Sequence, residues 1–254
     1  MGELRVRSVL VTGANRGEGQ ESVHLDLLVC AHLVLPTGLR RLASKHPNLV
    51  IVRSEVTDPP QHQAATASVG SASRARGSTS SSTTLLSEDH SRLTPETLRD
   101  MSDVYTTNTN RALPMSLLCA CFSFPSPQAF LPLLKKAAQG SPGSGMRCTA
   151  GSIKEILLWE SEQCLSYRCS KAALNMLTRC QSMGYREHGI LCMSFHPGWV
   201  QTDMGNKVGD MVGASIGGML RVLSNLSDKD SGSFLDWKGT LWPGDVLARP
   251  PAAS

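Results

Sequence analysis

At 254 residues, 41% of them hydrophobic, with a formal net charge of +4 at pH 7, the chain is the size of one large α/β domain with enough apolar material for a single core. No apolar stretch approaches the roughly 18 residues of a membrane span, and the positive charges are dispersed rather than gathered into a basic run interleaved with aromatics, which argues against nucleic-acid partners. Eight scattered cysteines with no secretory signal ahead of them read as reduced thiols, and Cys119 and Cys121 lack the further ligands of a zinc site, so a cytoplasmic protein without metal is expected.

Ser8 to Val11 reads as a short buried strand, followed at once by Thr12-Gly13-Ala14-Asn15-Arg16-Gly17-Glu18-Gly19. Glycines at such a turn let the backbone approach a pyrophosphate at a helix N-terminus. The spacing of Val23, Leu27 and Cys30 or Ala31 predicts a helix from Glu21 to Leu35, stopped by Pro36, which leaves Leu33 to Leu35 as the remnant of a second strand. Arg40 to Lys45 suits a short helix, and Leu49 to Val52 a strand leading to Glu55 and Asp58. Residues 70–84 hold no apolar side chain larger than alanine, a composition that predicts a mobile loop.

Thr94-Pro95-Glu96 is a helix start with an N-cap hydroxyl, a proline in the first turn and a carboxylate at the positive end of the dipole. Leu98, Met101 and Tyr105 then mark its expected buried face. Ala129 to Ala138 suits another helix, interrupted by Pro132, and residues 140–148 read as a flexible linker. Lys171 to Met183 is the clearest helix of the chain, with Ala173, Leu177 and Cys180 on one stripe. Ile190 to Phe195 and Ser233 to Trp237 read as strands, and residues 241–254 as a frayed tail.

The chemistry centres on Tyr167 and Lys171, which share a helix face at i and i+4. A phenol titrates at about 10 when free, and a neighbouring cation stabilises its phenolate and brings it toward working range. Such a pair can move a proton to or from an alcohol or carbonyl.

Thr12 to Gly19, Tyr167 to Lys171 and Pro197 to Thr202 follow in order, and together they resemble the short-chain dehydrogenases/reductases, with T-G-x-x-x-G-x-G, Y-x-x-x-K and P-G-x-x-x-T. The wording around them is similar to that of the C-factor and sniffer-type carbonyl reductases. The resemblance implies an α/β, Rossmann-like doubly wound parallel sheet of about seven strands. It implies transfer of hydride between a nicotinamide and a carbonyl or alcohol, with NADP favoured over NAD because Arg16 is placed to meet a 2′-phosphate. On the same grounds Gly13, Asn15, Gly17 and Gly19 would frame the pyrophosphate, and Asp58, or Glu55, would cap the adenine pocket. Lys171 would hold the nicotinamide ribose, Thr202 would meet the carboxamide from the loop after Pro197-Gly198, and Asn108, with Asn110 as competitor, would anchor a relay water. A homodimer through the Tyr167-bearing helix is implied as well.

Against the family pattern, only four or five strands are found, so the sheet is expected to be incomplete or irregular. The N-N-A-G segment and fourth strand have no counterpart in residues 70–84, Glu18 stands where the family has a small or branched apolar residue, and the extra segment from Leu117 to Ser126, with Pro125 and Pro127, breaks what should be one continuous helix. Cys148 falls where the family's substrate-binding serine belongs, leaving the Ser152 hydroxyl to substitute for it. These departures keep a non-catalytic binding module, or a poorly folded chain, open beside the reductase.

Overall fold

The computed structural model describes residues 9–12, 28–31, 37–47, 49–53, 64, 67–68, 71, 80–83, 97–105, 145–146, 151–154, 156, 164–198 and 212–242. In chain order these give β1 (Val9–Thr12), β2 (Leu28–Ala31), α1 (Thr37–Lys45), β3 (Val50–Arg53), β4 (Ser80–Thr83), α2 (Leu98–Tyr105), β5 (Gly145–Met146), α3 (Leu165–Gly184), β6 (Ser194–His196), α4 (Val212–Leu223) and β7 (Phe234–Asp236). Short 3₁₀ turns at Arg186–His188 and Asp228–Asp230 follow α3 and α4.

All the strands pair in parallel, in the orders β3-β2-β1-β4 and β5-β6-β7, and β4 and β5 lie against each other. The order 3-2-1-4 continuing into 5-6-7 is that of a doubly wound α/β sheet, with its reversal between β1 and β4. Because β5, β6 and β7 run the same way, Pro197-Gly198 follows β6 at the carboxyl edge of their sheet, and the Ser152 segment follows β5 in the chain. Ligands of such sheets bind along that edge.

Several elements differ from the sequence expectation. Leu28–Ala31, inside the helix expected from Glu21 to Leu35, is strand β2. Parallel strands covered on both faces read as unbroken apolar runs, which period counting does not separate from a helix. The expected loop 70–84 contains β4, whose residues Ser80 to Thr83 pair with Val9 to Thr12. A ladder is built from main-chain N–H and C=O groups, so hydroxyl side chains do not prevent it. The linker 140–148 likewise carries β5. Among the described residues, seven strands therefore stand where four or five were found in the sequence.

Helix α2 does not bury the face expected of it: Leu98 is 89% exposed, Val104 is buried, and Met101 and Tyr105 are half-buried. The tail is ordered at its start, where Leu241 bridges Leu235 and the Trp242 N–H donates to the Phe234 carbonyl at 2.9 Å.

The core beneath the site is formed by Leu191, Met193 and Phe195 of the β6 segment, Ile216 and Met219 of α4, and Leu235 of β7. Each such side chain, fully buried, contributes about 1.5–3 kcal/mol. Helix and strand meet closely because Gly218 has no side chain; a Cβ there would lie 2.4 Å from both the Trp237 ring and its carbonyl oxygen.

Candidate active site

Helix α3 supplies the centre of the site. Its first residue follows Cys164, which sits in the left-handed region at φ 42° and whose carbonyl accepts the Arg168 N–H at 2.9 Å. The conformation is sparsely populated for a residue with a Cβ, and it stands immediately before the first turn of α3.

The buried face of α3 consists of Ser166, Tyr167, Ser170, Lys171, Leu174, Asn175, Thr178, Gln181 and Ser182. The expected stripe of Ala173, Leu177 and Cys180 lies instead on the outer side, half-buried at the first two and exposed at Cys180. Hydropathy misplaces this face because its hydroxyls are satisfied locally: Ser170 Oγ donates to the Tyr167 carbonyl at 2.7 Å and Thr178 Oγ1 to that of Leu174 at 3.2 Å.

Tyr167 and Lys171 are 9% and 2% exposed, and Lys171 Nζ lies 5.1 Å from the Tyr167 ring centroid, within cation–π range. A lysine this deeply buried is rare, since taking an ammonium out of water is costly unless it is hydrogen-bonded or its charge is engaged. Tyr105 of α2 is a different phenol: burial, and secondly the neighbouring Cys169, raise its pKa above the ordinary phenol value.

Ser152 is also buried, and its placement is set by the residue before it. A Cβ on Gly151 would fall 2.7 Å from the main-chain carbon and oxygen of Lys171 and 2.9 Å from Asn175 Nδ2, so only glycine lets this segment lie flush on α3. From α3, Asn175 Nδ2 donates to the Gly151 carbonyl at 3.3 Å, while its buried Oδ1 has no hydrogen-bond partner among the described residues. An unsatisfied buried acceptor costs about 1–3 kcal/mol and the bond made returns about 0.5–1.5 kcal/mol. Asn175 therefore adds little or nothing to stability.

The third segment, Pro197-Gly198, is pinned by the fully buried Ser215, whose Oγ donates to the Pro197 carbonyl at 2.6 Å. Gly198 sits at φ 90°, a conformation that requires glycine. Just before it, His196 meets Trp242 edge to face, with ring centroids 5.1 Å apart. Burial lowers the His196 pKa to about 4, against the opposing pull of Asp236 across the ladder, so the imidazole is neutral at pH 7.

Of the residues singled out from the sequence, Tyr167 and Lys171 lie on α3 with the segment before Ser152 packed against it at Gly151, and Pro197 and Gly198 follow β6. Gly13, Asn15, Arg16, Gly17, Gly19, Glu55, Asp58, Asn108, Asn110, Cys148 and Thr202 lie outside the described residues. Sequence reading missed Gly151, Asn175 and Ser215. Asn175 was findable, because it continues the i, i+4 series of Tyr167 and Lys171 by one more turn; Ser215 carries no such signal. Among the described residues there is no cluster of His, Cys, Asp or Glu able to hold a metal, and no helix long and apolar enough to cross a membrane.

A family model for the short chain dehydrogenases matches residues 155–213, which include Tyr167, Lys171 and the Pro197 to Thr202 segment. C-signal of Myxococcus xanthus is 47% identical over 79 residues, covering 31% of this chain and 48% of that protein. The chain spans about half the length of the curated relatives it matches. Among solved structures, the NADPH-bound carbonyl reductase from chicken fatty liver is 50% identical, covers 94% of this chain and 99% of its own, and superposes with a TM-score of 0.82. Carbonyl reductase Sniffer of D. melanogaster is 27% identical over 93% of this chain and 99% of its own, with a TM-score of 0.81. With a Rossmann-type parallel sheet, the buried Tyr167 and Lys171 on one helix face, and a half-identical relative matched over nearly its whole length, the chain belongs to the short-chain dehydrogenase/reductase family.

Proposed function

We propose that the chain is an NADP-dependent oxidoreductase that interconverts a carbonyl and an alcohol. The observation that carries this reading is the burial of Tyr167 and Lys171 together on the face of α3 against which Gly151 and Ser152 pack. A phenol, an ammonium and a hydroxyl gathered out of bulk water form a donor set suited to a carbonyl oxygen and a ribose diol, so the residues fit a nicotinamide cofactor. NADPH, when bound, supplies the hydride that reaches the carbonyl carbon. Tyr167 gives the proton to the oxygen, Lys171 holds the nicotinamide ribose hydroxyls and favours the phenolate left behind, and Ser152 donates a hydrogen bond to the substrate oxygen. The reverse direction returns the proton to Tyr167.

The remaining roles rest on the family pattern. Gly13, Asn15, Gly17 and Gly19 frame the phosphates, Arg16 meets the 2′-phosphate, Asp58 borders the adenine, Thr202 with Pro197 and Gly198 receives the carboxamide, and Asn108 anchors a relay water. The outer side of α3 carries Ala173, Met176, Leu177, Cys180 and Met183, with Met176 64% and Met183 68% exposed. An exposed apolar helix face of this kind supports a homodimer formed through α3. A cytoplasmic location accords with thiols at Cys169, Cys180 and Cys192.

The test is Tyr167→Phe. Reduction of an aromatic aldehyde should fall to background, while NADPH still raises the melting temperature as it does for wild type. Equal loss of turnover and of the NADPH-induced rise in melting temperature refutes the proton-donor role; no such rise in wild type refutes the cofactor assignment.

A further inference from the structure

We infer that Asn175 is a positioning residue for the reaction, holding Ser152 in register with Tyr167 and Lys171; this rests on the reductase reading above. The Gly151 carbonyl, which accepts from Asn175 Nδ2 at 3.3 Å, and the Ser152 N–H belong to one planar peptide unit. Fixing that carbonyl therefore fixes the plane from which the Ser152 side chain departs. Gly151 also lies close against the main chain of Lys171, where a Cβ would be 2.7 Å from the carbonyl carbon and oxygen. Helix α3 thus carries the phenol, the ammonium and, one turn further on, the amide that ties down the hydroxyl-bearing segment.

The orientation of the amide is determinate. Were its two ends exchanged, Oδ1 would face the Gly151 carbonyl and two acceptors would oppose each other. The other amide atom lies buried with no partner among the described residues, so the oxygen end makes no second tie to the core. Its single described bond goes to the peptide that aims Ser152. A residue placed in this way acts through Ser152 and not on the substrate itself.

The experiment compares wild type with Asn175→Leu, Asn175→Asp, Ser152→Ala and the Ser152→Ala/Asn175→Leu double variant. Measured for each are the melting temperature, the NADPH dissociation constant, kcat and KM for 4-nitrobenzaldehyde, and hydrogen–deuterium exchange of the peptide covering residues 151–154. Asn175→Leu should melt at or above the wild-type temperature and bind NADPH within about twofold, yet lose roughly 10- to 100-fold in kcat, the scale of a small misplacement. Asn175→Asp, identical in outline but presenting an acceptor where the donor was, should show the same loss, and it serves if the leucine variant fails to fold. Exchange at 151–154 should speed up in both. In the double variant kcat should equal that of Ser152→Ala alone, because both changes act through one hydroxyl.

Full kcat in either Asn175 variant, or losses that multiply in the double variant, overturns the inference and leaves the reductase reading intact. A wild type with no aldehyde reduction sinks the reductase reading; the exchange then decides the positioning, and an unchanged rate at 151–154 overturns it.

Discussion

His196 makes the stability of this fold depend on pH in a predictable direction. Its pKa is about 4 in the folded chain against 6.5 ordinarily, so between those values the unfolded chain binds a proton that the folded chain refuses. The contribution is present in full above pH 6.5, is lost as pH falls toward 4, and changes no further below that. A tenfold difference in proton affinity corresponds to about 1.4 kcal/mol, so the full span is worth about 3 kcal/mol, with a slope near 1.4 kcal/mol per pH unit in mid-range. Carboxylates titrate over part of the same window, which makes the comparison with a variant essential. His196→Phe keeps an aromatic edge against Trp242 and removes the titration. Urea unfolding followed by tryptophan fluorescence, at constant ionic strength from pH 7.5 to 4.5, gives the stability of both proteins. The variant should gain about 2–3 kcal/mol relative to wild type between pH 7 and 4.5. A stability difference that stays constant across this range refutes the assignment of a buried, neutral imidazole.

Two adjacent glycines of α4 should respond oppositely to the same change. Gly217→Ala meets nothing within 4 Å and should stabilise by about 0.5–1 kcal/mol through helix propensity, whereas Gly218→Ala drives a methyl into Trp237 and should destabilise by about 1–3 kcal/mol. Equal changes in the two chemical denaturation curves would show that α4 does not seat on β7 as described. Charging the outer side of α3 with Met176→Glu and Met183→Glu should convert a dimer to monomer in sedimentation velocity while leaving the melt within about 0.5 kcal/mol, because neither side chain enters the core. A wild type that sediments as a monomer excludes α3 as the self-association face.

The Tyr167–Lys171 helix was legible because it is long and its chemistry lies within one turn. Which side it buries was not, because Ser170 and Thr178 hide polarity by bonding to their own backbone. Strand β4 was invisible for a related reason: Ser80 to Thr83 advertise nothing apolar, and their ladder with β1 is made by atoms every residue has. Strand β2 failed in the opposite sense, its Leu28 to Ala31 being apolar enough to pass for part of a helix. In the site, Tyr167 and Lys171 could be named from spacing, whereas Gly151 and Asn175 meet only when the segment after β5 is laid on α3, a contact between positions far apart in the chain.

The strand pairings carry a consequence for how the chain reaches its fold. Val9 waits for Ser80, Gly145 for Ser194, and Ser194 for Phe234, whereas Tyr167 and Lys171 are brought together by a single local turn. Parallel ladders between such distant segments close late, because loop-closure entropy is spent before any pairing energy is recovered. Helix α3 can therefore display its proton-transfer face well before a sheet edge exists to receive it. Until β6 and β7 pair, the polar inner side of α3 and its methionine-bearing outer side are both open to water, and the newly made chain passes through an interval in which association with other copies competes with completion of the sheet.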